Sequence, residues 1–294
     1  LVGFIARVLG VGRVLQYFDS HQPPDVKPQV MQFSLAISPC PNDTFIFNGL
    51  LTGRIAAPFP VDISLLDIQE LNEGMFAERF DLCKVSSVAA LRNSACYRIC
   101  SVGAAVGFGV GPLIVSRPGA GPINRESKVV APGPATTAYT LLRHFFPEVS
   151  SVRQMVFSEI MPAILRGEAD YGVVIHEGRF VYQGLGLECV VDLGALWESR
   201  YGVPLPLGCL VAHRRVPEHE LRQFEEVVRE SIRYSYAYPQ EALVTMREHA
   251  QELDEKAIWS HVELYVNRWS LDLGDEGRGA FGKLGEVVRG VEVS

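Results

Sequence analysis

A histidine that closes an apolar strand is the group in this sequence best suited to moving a proton near neutral pH. In YGVVIHEGR (171–179) the run YGVVI precedes His176, so the imidazole is expected where the strand leaves the core and meets both water and ligand. Its unperturbed pKa of about 6.5 suits a general base. A hydrogen-bonded structural histidine is the competing reading. Glu177 would point the opposite way in a continuing strand, so no His–Glu dyad is expected. Three further junctions carry small polar residues: Ser38 to Thr44, Lys84 to Ser87, and Gly133 to Thr137. Thr136 and Thr137 stand just ahead of a helical pattern, where unpaired N–H groups and the helix dipole favour an anion such as a carboxylate, or where a threonine simply caps the helix. Ser86 and Ser87 carry the same two readings, with Lys84 adding a cation. No GxSxG is present, and Cys40, flanked by Pro39 and Pro41, has no recognisable partner nearby, so covalent catalysis has no positive support. The six other histidines fall in the N-terminal extension or on helical and exposed-looking segments.

The elements that must position these groups alternate short β-branched runs with helical periodicity, the pattern of an α/β protein. FSLAIS (33–38), VDISLLD (61–67), LCKVS (82–86), KVVAP (128–132), VRQMVF (152–157) and YGVVI read as strands. Pro41, Asn42 and Asp43 are good helix-start chemistry for TFIFNGLLTG, and Leu71, Met75 and Phe76 are spaced as a buried stripe. In a parallel sheet the carboxyl ends of the strands share one edge, so the polar junctions are expected to converge on one crevice. The stretch VGAAVGFGVG leads into another strand, PLIVS, rather than a helix; a dinucleotide loop is therefore not expected, and close backbone approach or a hinge is. From Pro217 to Gly290 only helices are expected, with Leu221, Phe224, Val228 and Ile232 on one face, Pro239 in a first turn and Asp254 as a cap.

Extended crossings near 111–118 and 204–212 bracket a central block, which predicts two domains with a ligand cleft between them: a larger one from 31–117 and 207–294, and a smaller inserted one from 118–206. Residues 1–30 are expected to lie outside the fold as an extension. They are apolar up to Phe18, carry Arg7 and Arg13, continue through the Pro-rich HQPPDVKPQ, and make a poor secretory signal, so Met31 is the expected start.

The 294 residues suffice for two cores, and a hydrophobic fraction of 48% with 21% charged residues fits a globular chain. With 27 basic against 34 acidic residues, net charge −7, the chain has no basic field for nucleic acid. No apolar run reaches the ~18 residues of a membrane span. The six cysteines have no CxxC or zinc-like spacing, so no metal is expected; Cys96 and Cys100, four apart, would share one face if on a helix, but buried reduced thiols are the expected state.

The segments SPCPNDTFIFNGL, KVSSVAAL, GVGPLIVSR, PGPATTAYTLL, VVIHEGRFVYQGLGLECVVDLGALW, PLPLGCLVAHR and WSHVELYVNRWSLDLGDEG resemble, in order and spacing, the 1,4-dihydroxy-6-naphthoate synthase family of the futalosine route to menaquinone. The resemblance implies a fold similar to type II periplasmic binding proteins, used as a cytoplasmic enzyme with no metal or organic cofactor. It implies cyclic dehypoxanthinyl futalosine as the small carboxylate substrate and 1,4-dihydroxy-6-naphthoate as product. The family's proposed base corresponds to His176, and its substrate-contacting segments to Lys84, Val85 and Ser86 and to Thr136 and Thr137. The expected chemistry is proton removal by His176 and a retro-aldol-like cleavage that releases a three-carbon fragment as the bicycle becomes aromatic. Thr136 would hold the aryl carboxylate, with Ser86 and Asn42, next to Asp43, offering hydrogen bonds to hydroxyls. The rivals are the chorismate dehydratase of the same pathway and a non-enzymatic solute-binding protein.

Overall fold

The computed structural model describes residues 32–176, 178–250 and 254–291. The extension 1–30, the start at Met31 and Glu177 lie outside the described residues. β1 (Phe33–Ile37) leads into α1 (Pro41–Ile46) and α2 (Asn48–Leu51); β2 (Val61–Leu65) is followed by α3 (Ile68–Phe76), and β3 (Leu82–Ser86) by α4 (Ser87–Arg92). Next come β4 (Tyr97–Ile99), β5 (Ala105–Gly107), β6 (Leu113–Ser116), β7 (Lys128–Ala131), α5 (Thr137–Phe145), β8 (Ser151–Gln154) and α6 (Phe157–Leu165). After β9 (Tyr171–Val174) follow α7 (Gly178–Val181), β10 (Glu188–Asp192) and α8 (Leu193–Tyr201). β11 (Leu205–His213) then precedes α9 (Glu218–Ala237), α10 (Pro239–His249), α11 (Glu255–Tyr265), α12 (Arg268–Leu271) and α13 (Gly274–Gly290).

The strands form two sheets. One has the order β2–β1–β3–β11–β4, with β5 also paired to β11; the other has the order β10–β6–β9–β7–β8. β1 is parallel to β2 and β3, and β7 is parallel to β8 and β9. The carboxyl ends of β1 and β3 therefore share an edge, as do those of β7 and β9, and each edge delivers its loop to the same side of its sheet. β6, at 113–116, pairs with β9 and β10, so this part of the first crossing belongs to the sheet of the central block. Beneath the first sheet, Leu35, Ile37, Phe45 and Phe47 pack with Phe224, Val228 and Ile232 of α9; around the second, Ile114, Val173, Leu141 and Trp197 are buried. Leu221, Phe224, Val228 and Ile232 are all buried as their three-and-four spacing requires, Pro239 opens α10, and Asp254 accepts from the Ala257 N–H at 2.9 Å.

Several local expectations need correction. The stretch TFIFNGLLTG is two short helices, because Phe47 leaves helical geometry between them. Of the α3 stripe, Leu71 and Met75 are buried but Phe76 is 43% exposed, since it is the last residue of the helix and turns off its inner face. β8 stops at Gln154, and Phe157 opens α6 instead. Cys96 and Cys100 do not share a helix face: Cys96 lies in a turn, β4 intervenes, and Cys100 is buried. Cys189 is exposed and Cys40 and Cys96 are partly so, while Cys83, Cys100 and Cys209 are buried; all six are unpaired thiols.

The glycine-rich stretch forms a close backbone crossing. A Cβ on Gly194 would sit 2.0 Å from the Val110 carbonyl oxygen, and one on Gly111, at φ +144°, would meet the Gly194 backbone at 2.7 Å. Arg179 clamps this crossing to the turn that follows β9: its guanidinium donates to the Gly111 carbonyl at 2.6 Å, the Gly109 carbonyl at 3.0 Å and Asp192 Oδ2 at 2.9 Å.

Candidate functional site

A concave cleft, open to solvent, lies where loops of the two sheets meet. Its walls include His176, Lys84, Val85, Ser86, Thr136, Thr137, Asn42 and Asp43, but not Ser87, which the sequence pairs with Ser86. Ser38, Ile68, Leu207, His261 and Tyr265 complete much of the lining.

β9 ends at Val174, and the chain turns sharply at His176, whose φ is +52°. This left-handed geometry is uncommon outside glycine, though histidine, asparagine and aspartate tolerate it best. It removes His176 from the strand alternation that the sequence suggests. Its Nδ1 lies 3.5 Å from Cys40 Sγ, and its ring stands 5.1 Å from that of Phe157. In the tautomer that donates Nδ1–H to the sulfur, the basic lone pair sits on Nε2.

The α1 and β3 residues form a buried polar chain. Lys84, 3% exposed, places Nζ 3.1 Å from Asp43 Oδ1 and donates to the Gly103 carbonyl at 2.7 Å, so its charge is balanced within the wall. Asp43 Oδ2 accepts from the Ser38 hydroxyl at 2.7 Å and backbone N–H at 3.2 Å, which locks the loop after β1. Asn42 Nδ2 donates to Asp43 Oδ1 at 2.8 Å. A carboxylate only accepts, so the amide orientation of Asn42 is fixed, and its Oδ1 faces His261 Nε2 at 2.9 Å. His261 must therefore carry its proton on Nε2.

Ser86 is the residue before α4, but its hydroxyl does not cap that helix as expected. Instead Asn72 Nδ2 donates to Ser86 Oγ at 3.1 Å, and Ser86 N–H donates to Asn72 Oδ1 at 3.0 Å. Ser86 keeps its own hydroxyl proton to offer a ligand. Thr136 does cap α5: its Oγ1 accepts from Tyr139 N–H at 3.1 Å and donates to the Gly133 carbonyl at 2.8 Å. Thr137 Oγ1 donates to the Leu207 carbonyl at 3.1 Å. Both hydroxyls are thus committed to backbone. What α5 brings to the cleft is its first turn, where helix geometry leaves the N–H groups of Thr137 and Ala138 without intrahelical acceptors.

His261 is the site residue that sequence reading passed over. It is 1% exposed, its ring is parallel to that of His176 within 5° at a centroid distance of 6.4 Å, and Tyr265 lies 4.7 Å away. Burial, followed by the charge of a protonated His176, pushes its pKa down to about 3. In the unfolded chain the same imidazole binds a proton below ~6.5. The unfolded state then holds more protons than the folded one, so stability is intact above that value and falls with pH, by about 1.4 kcal/mol per unit, until pH nears the folded value. Melts of the wild type should lose on the order of 2 kcal/mol between pH 7 and pH 5 from this group. A His261→Gln variant should lack that component; equal acid sensitivity of the two proteins would contradict the assignment.

Among the described residues no group of three or more His, Cys, Asp or Glu is placed to hold a metal ion, and no helix is long and apolar enough to cross a membrane. The family model described as menaquinone biosynthesis matches residues 33–289. Over 252 residues, 85% of this chain and 91% of the other, the sequence is 44% identical to a 1,4-dihydroxy-6-naphtoate synthase from Thermus thermophilus. A protein of the same name from Streptomyces coelicolor is 38% identical over 253 residues, 84% of this chain and 89% of its own. Among solved structures, an Archaeoglobus fulgidus protein superposes with a TM-score of 0.83 at 30% identity, covering 88% of this chain and 97% of that one. A Candida albicans protein described as having the generic periplasmic binding protein fold gives 0.68 at 9% identity, over 90% and 92% of the two chains. The fold is the two-domain, type II periplasmic-binding-protein-like α/β architecture.

Proposed function

Because the chain belongs to the menaquinone biosynthesis family, we propose that it converts cyclic dehypoxanthinyl futalosine to 1,4-dihydroxy-6-naphthoate, as a lyase working in the cytoplasm without a metal or organic cofactor. The observation that carries this reading is one cleft that holds an imidazole, a helix N-terminus and a serine hydroxyl together: His176, the first turn of α5, and Ser86. The α5 N–H groups bind the aryl carboxylate, where fixed dipoles replace the hydration shell of an anion. Apolar walls from Ile68, Val85 and Leu207 suit the planar ring system. Ser86 donates to a substrate hydroxyl.

In this mechanism His176 removes a proton from the sugar-derived part of the substrate. The electron pair released opens the ring and drives a retro-aldol-like carbon–carbon cleavage, a three-carbon fragment departs, and the bicycle becomes aromatic. Aromatisation supplies the thermodynamic drive. The protein supplies proton transfer, typically ~10²- to 10⁴-fold, and orientation within the cleft. His261, neutral and locked as a donor to Asn42, does not compete for the proton, so the two imidazoles divide their roles by environment.

Purified protein incubated separately with cyclic dehypoxanthinyl futalosine and with chorismate tests the assignment. The naphthoate chromophore should appear with the first and nothing should be consumed with the second. Dehydration of chorismate would transfer the assignment to the other pathway enzyme; tight binding of either compound without turnover would make the protein a solute carrier.

A further inference from the structure

The turn that carries His176 has little local structure to hold it. β9 ends at Val174, and α7, Gly178–Val181, is too short for helical hydrogen bonding alone to fix its place. Two backbone bonds span the turn: Gly178 N–H donates to the Ile175 carbonyl at 3.1 Å, and Arg179 N–H to the His176 carbonyl at 3.3 Å. His176 itself is left-handed, at φ +52°, and such a conformation persists where the surrounding structure over-determines it. Contacts from further away must therefore help to set the imidazole.

The Arg179 side chain, largely buried, supplies such contacts three residues along the chain from the base. Its Nη1 donates to the Gly111 carbonyl, and its Nη2 to the Gly109 carbonyl and to Asp192 Oδ2. Gly109 and Gly111 belong to the crossing that carries the chain from β5 in the first sheet to β6 in the second, and Gly111 and Pro112 line the cleft beside Ile175 and His176. The crossing is held firmly where Arg179 grips it. Gly111 backs onto the Gly194 backbone with no room for a Cβ, Leu193 N–H donates to the Pro112 carbonyl at 3.0 Å, and Glu198 Oε1 accepts from Gly109 N–H at 2.6 Å. Asp192 is fixed too, since its Oδ1 caps α8 through Ala195 N–H at 3.0 Å. A planar guanidinium that meets its acceptors through two separate nitrogens sets direction as well as distance. The turn that bears the base is thus referenced to a rigid piece of the cleft wall.

We propose that Arg179 is a positioning residue for the reaction: by gripping the crossing at Gly109 and Gly111 it holds the turn so that His176 meets the substrate. The proposal rests on the reaction assigned above and on His176 as its base. Arg179 does not itself line the cleft, so it acts through where it puts the imidazole. A misplacement of about 1 Å at a reacting group can cost on the order of 10²-fold in rate. The anion site at the start of α5 belongs to another element and should be left as it is.

Single-turnover formation of the naphthoate chromophore tests this. Arg179→Met, which keeps an apolar stem and loses every donor, should slow it by roughly 10²-fold, and Arg179→Lys, which cannot meet the two carbonyls through separate nitrogens, by about tenfold. Calorimetric affinity for the naphthoate product should stay within about threefold of wild type in both. The deciding measurement is a double-mutant cycle. In a His176→Asn background, Arg179→Met should slow the residual reaction by less than about threefold, because a residue that acts only by placing the base has nothing left to place. The Lys variant carries the same cycle if the Met variant does not fold. Losses that multiply in the double variant, product affinity that falls as far as the rate, or near-normal turnover by Arg179→Met would each overturn the proposal. Failure of the wild type to form the chromophore would instead strike the reaction assignment, and near-normal turnover by His176→Asn alone would strike the base.

Discussion

Replacing His176 by Asn should lower turnover of cyclic dehypoxanthinyl futalosine by roughly 10²- to 10⁴-fold, the usual contribution of a positioned general base. Product affinity should persist, because the α5 N–H groups and Ser86 belong to other elements. Asn is the informative substitution because residue 176 sits at φ +52°, a region that asparagine enters with little strain. Ala lacks that tolerance, and left-handed geometry costs an ordinary residue about 1–2 kcal/mol. His176→Ala should therefore match His176→Asn in activity loss while melting at lower temperature. That split separates chemistry from backbone strain. Near-normal turnover by the Asn variant would remove His176 from the role of base, and the remaining candidates in the cleft would not replace it: His261 is held neutral with its proton committed, and Lys84 is paired with Asp43.

Strands whose alternation or apolar run was uninterrupted were legible in the sequence: β3 spans 82–86, as the run LCKVS predicts, and β1 and β7 agree closely with FSLAIS and KVVAP. The pairing of junctions was legible too, because parallel strands bring the ends of β1 and β3 to one edge and those of β7 and β9 to another; that both edges face one cleft comes from the packing of the two sheets, which that rule does not reach. Geometry that depends on a single backbone angle was not legible. Nothing in YGVVIHEGR announces that the strand stops at Val174 and that His176 turns left-handed. Nor does local sequence reveal that Ser86 is bonded to Asn72 rather than to its own helix, since that pairing joins residues 14 apart.

His261 is the instructive omission, because its signal was present. Ile258, His261, Val262 and Tyr265 step by three, one and three along α11, which places the histidine on the same stripe as three buried apolar residues. A polar residue on such a stripe is either satisfied or functional, and here one nitrogen is satisfied by Asn42. What the stripe does not disclose is the partner 219 positions away, and hence the chain of fixed donors that sets the tautomer. The same long reach explains Lys84. Read locally it is a cation for a carboxylate; in the fold it meets Asp43, and the function proposed above leaves the substrate carboxylate to backbone N–H groups instead.

Lys84→Met should therefore be costly to the fold itself. The pair is 4% exposed on both side chains, and removing one partner of a buried ion pair typically destabilises by about 3–5 kcal/mol, because the other charge is left in a poorly solvating site. Asp43 retains the Ser38 hydroxyl and N–H and the Asn42 amide, which places the expected loss near the lower end, about 3 kcal/mol. Denaturant titrations of the two proteins at pH 7 should show that deficit. A gap below ~1 kcal/mol would mean that Asp43 is adequately held by its neutral donors and that the Lys84 ammonium is dispensable to this wall of the cleft.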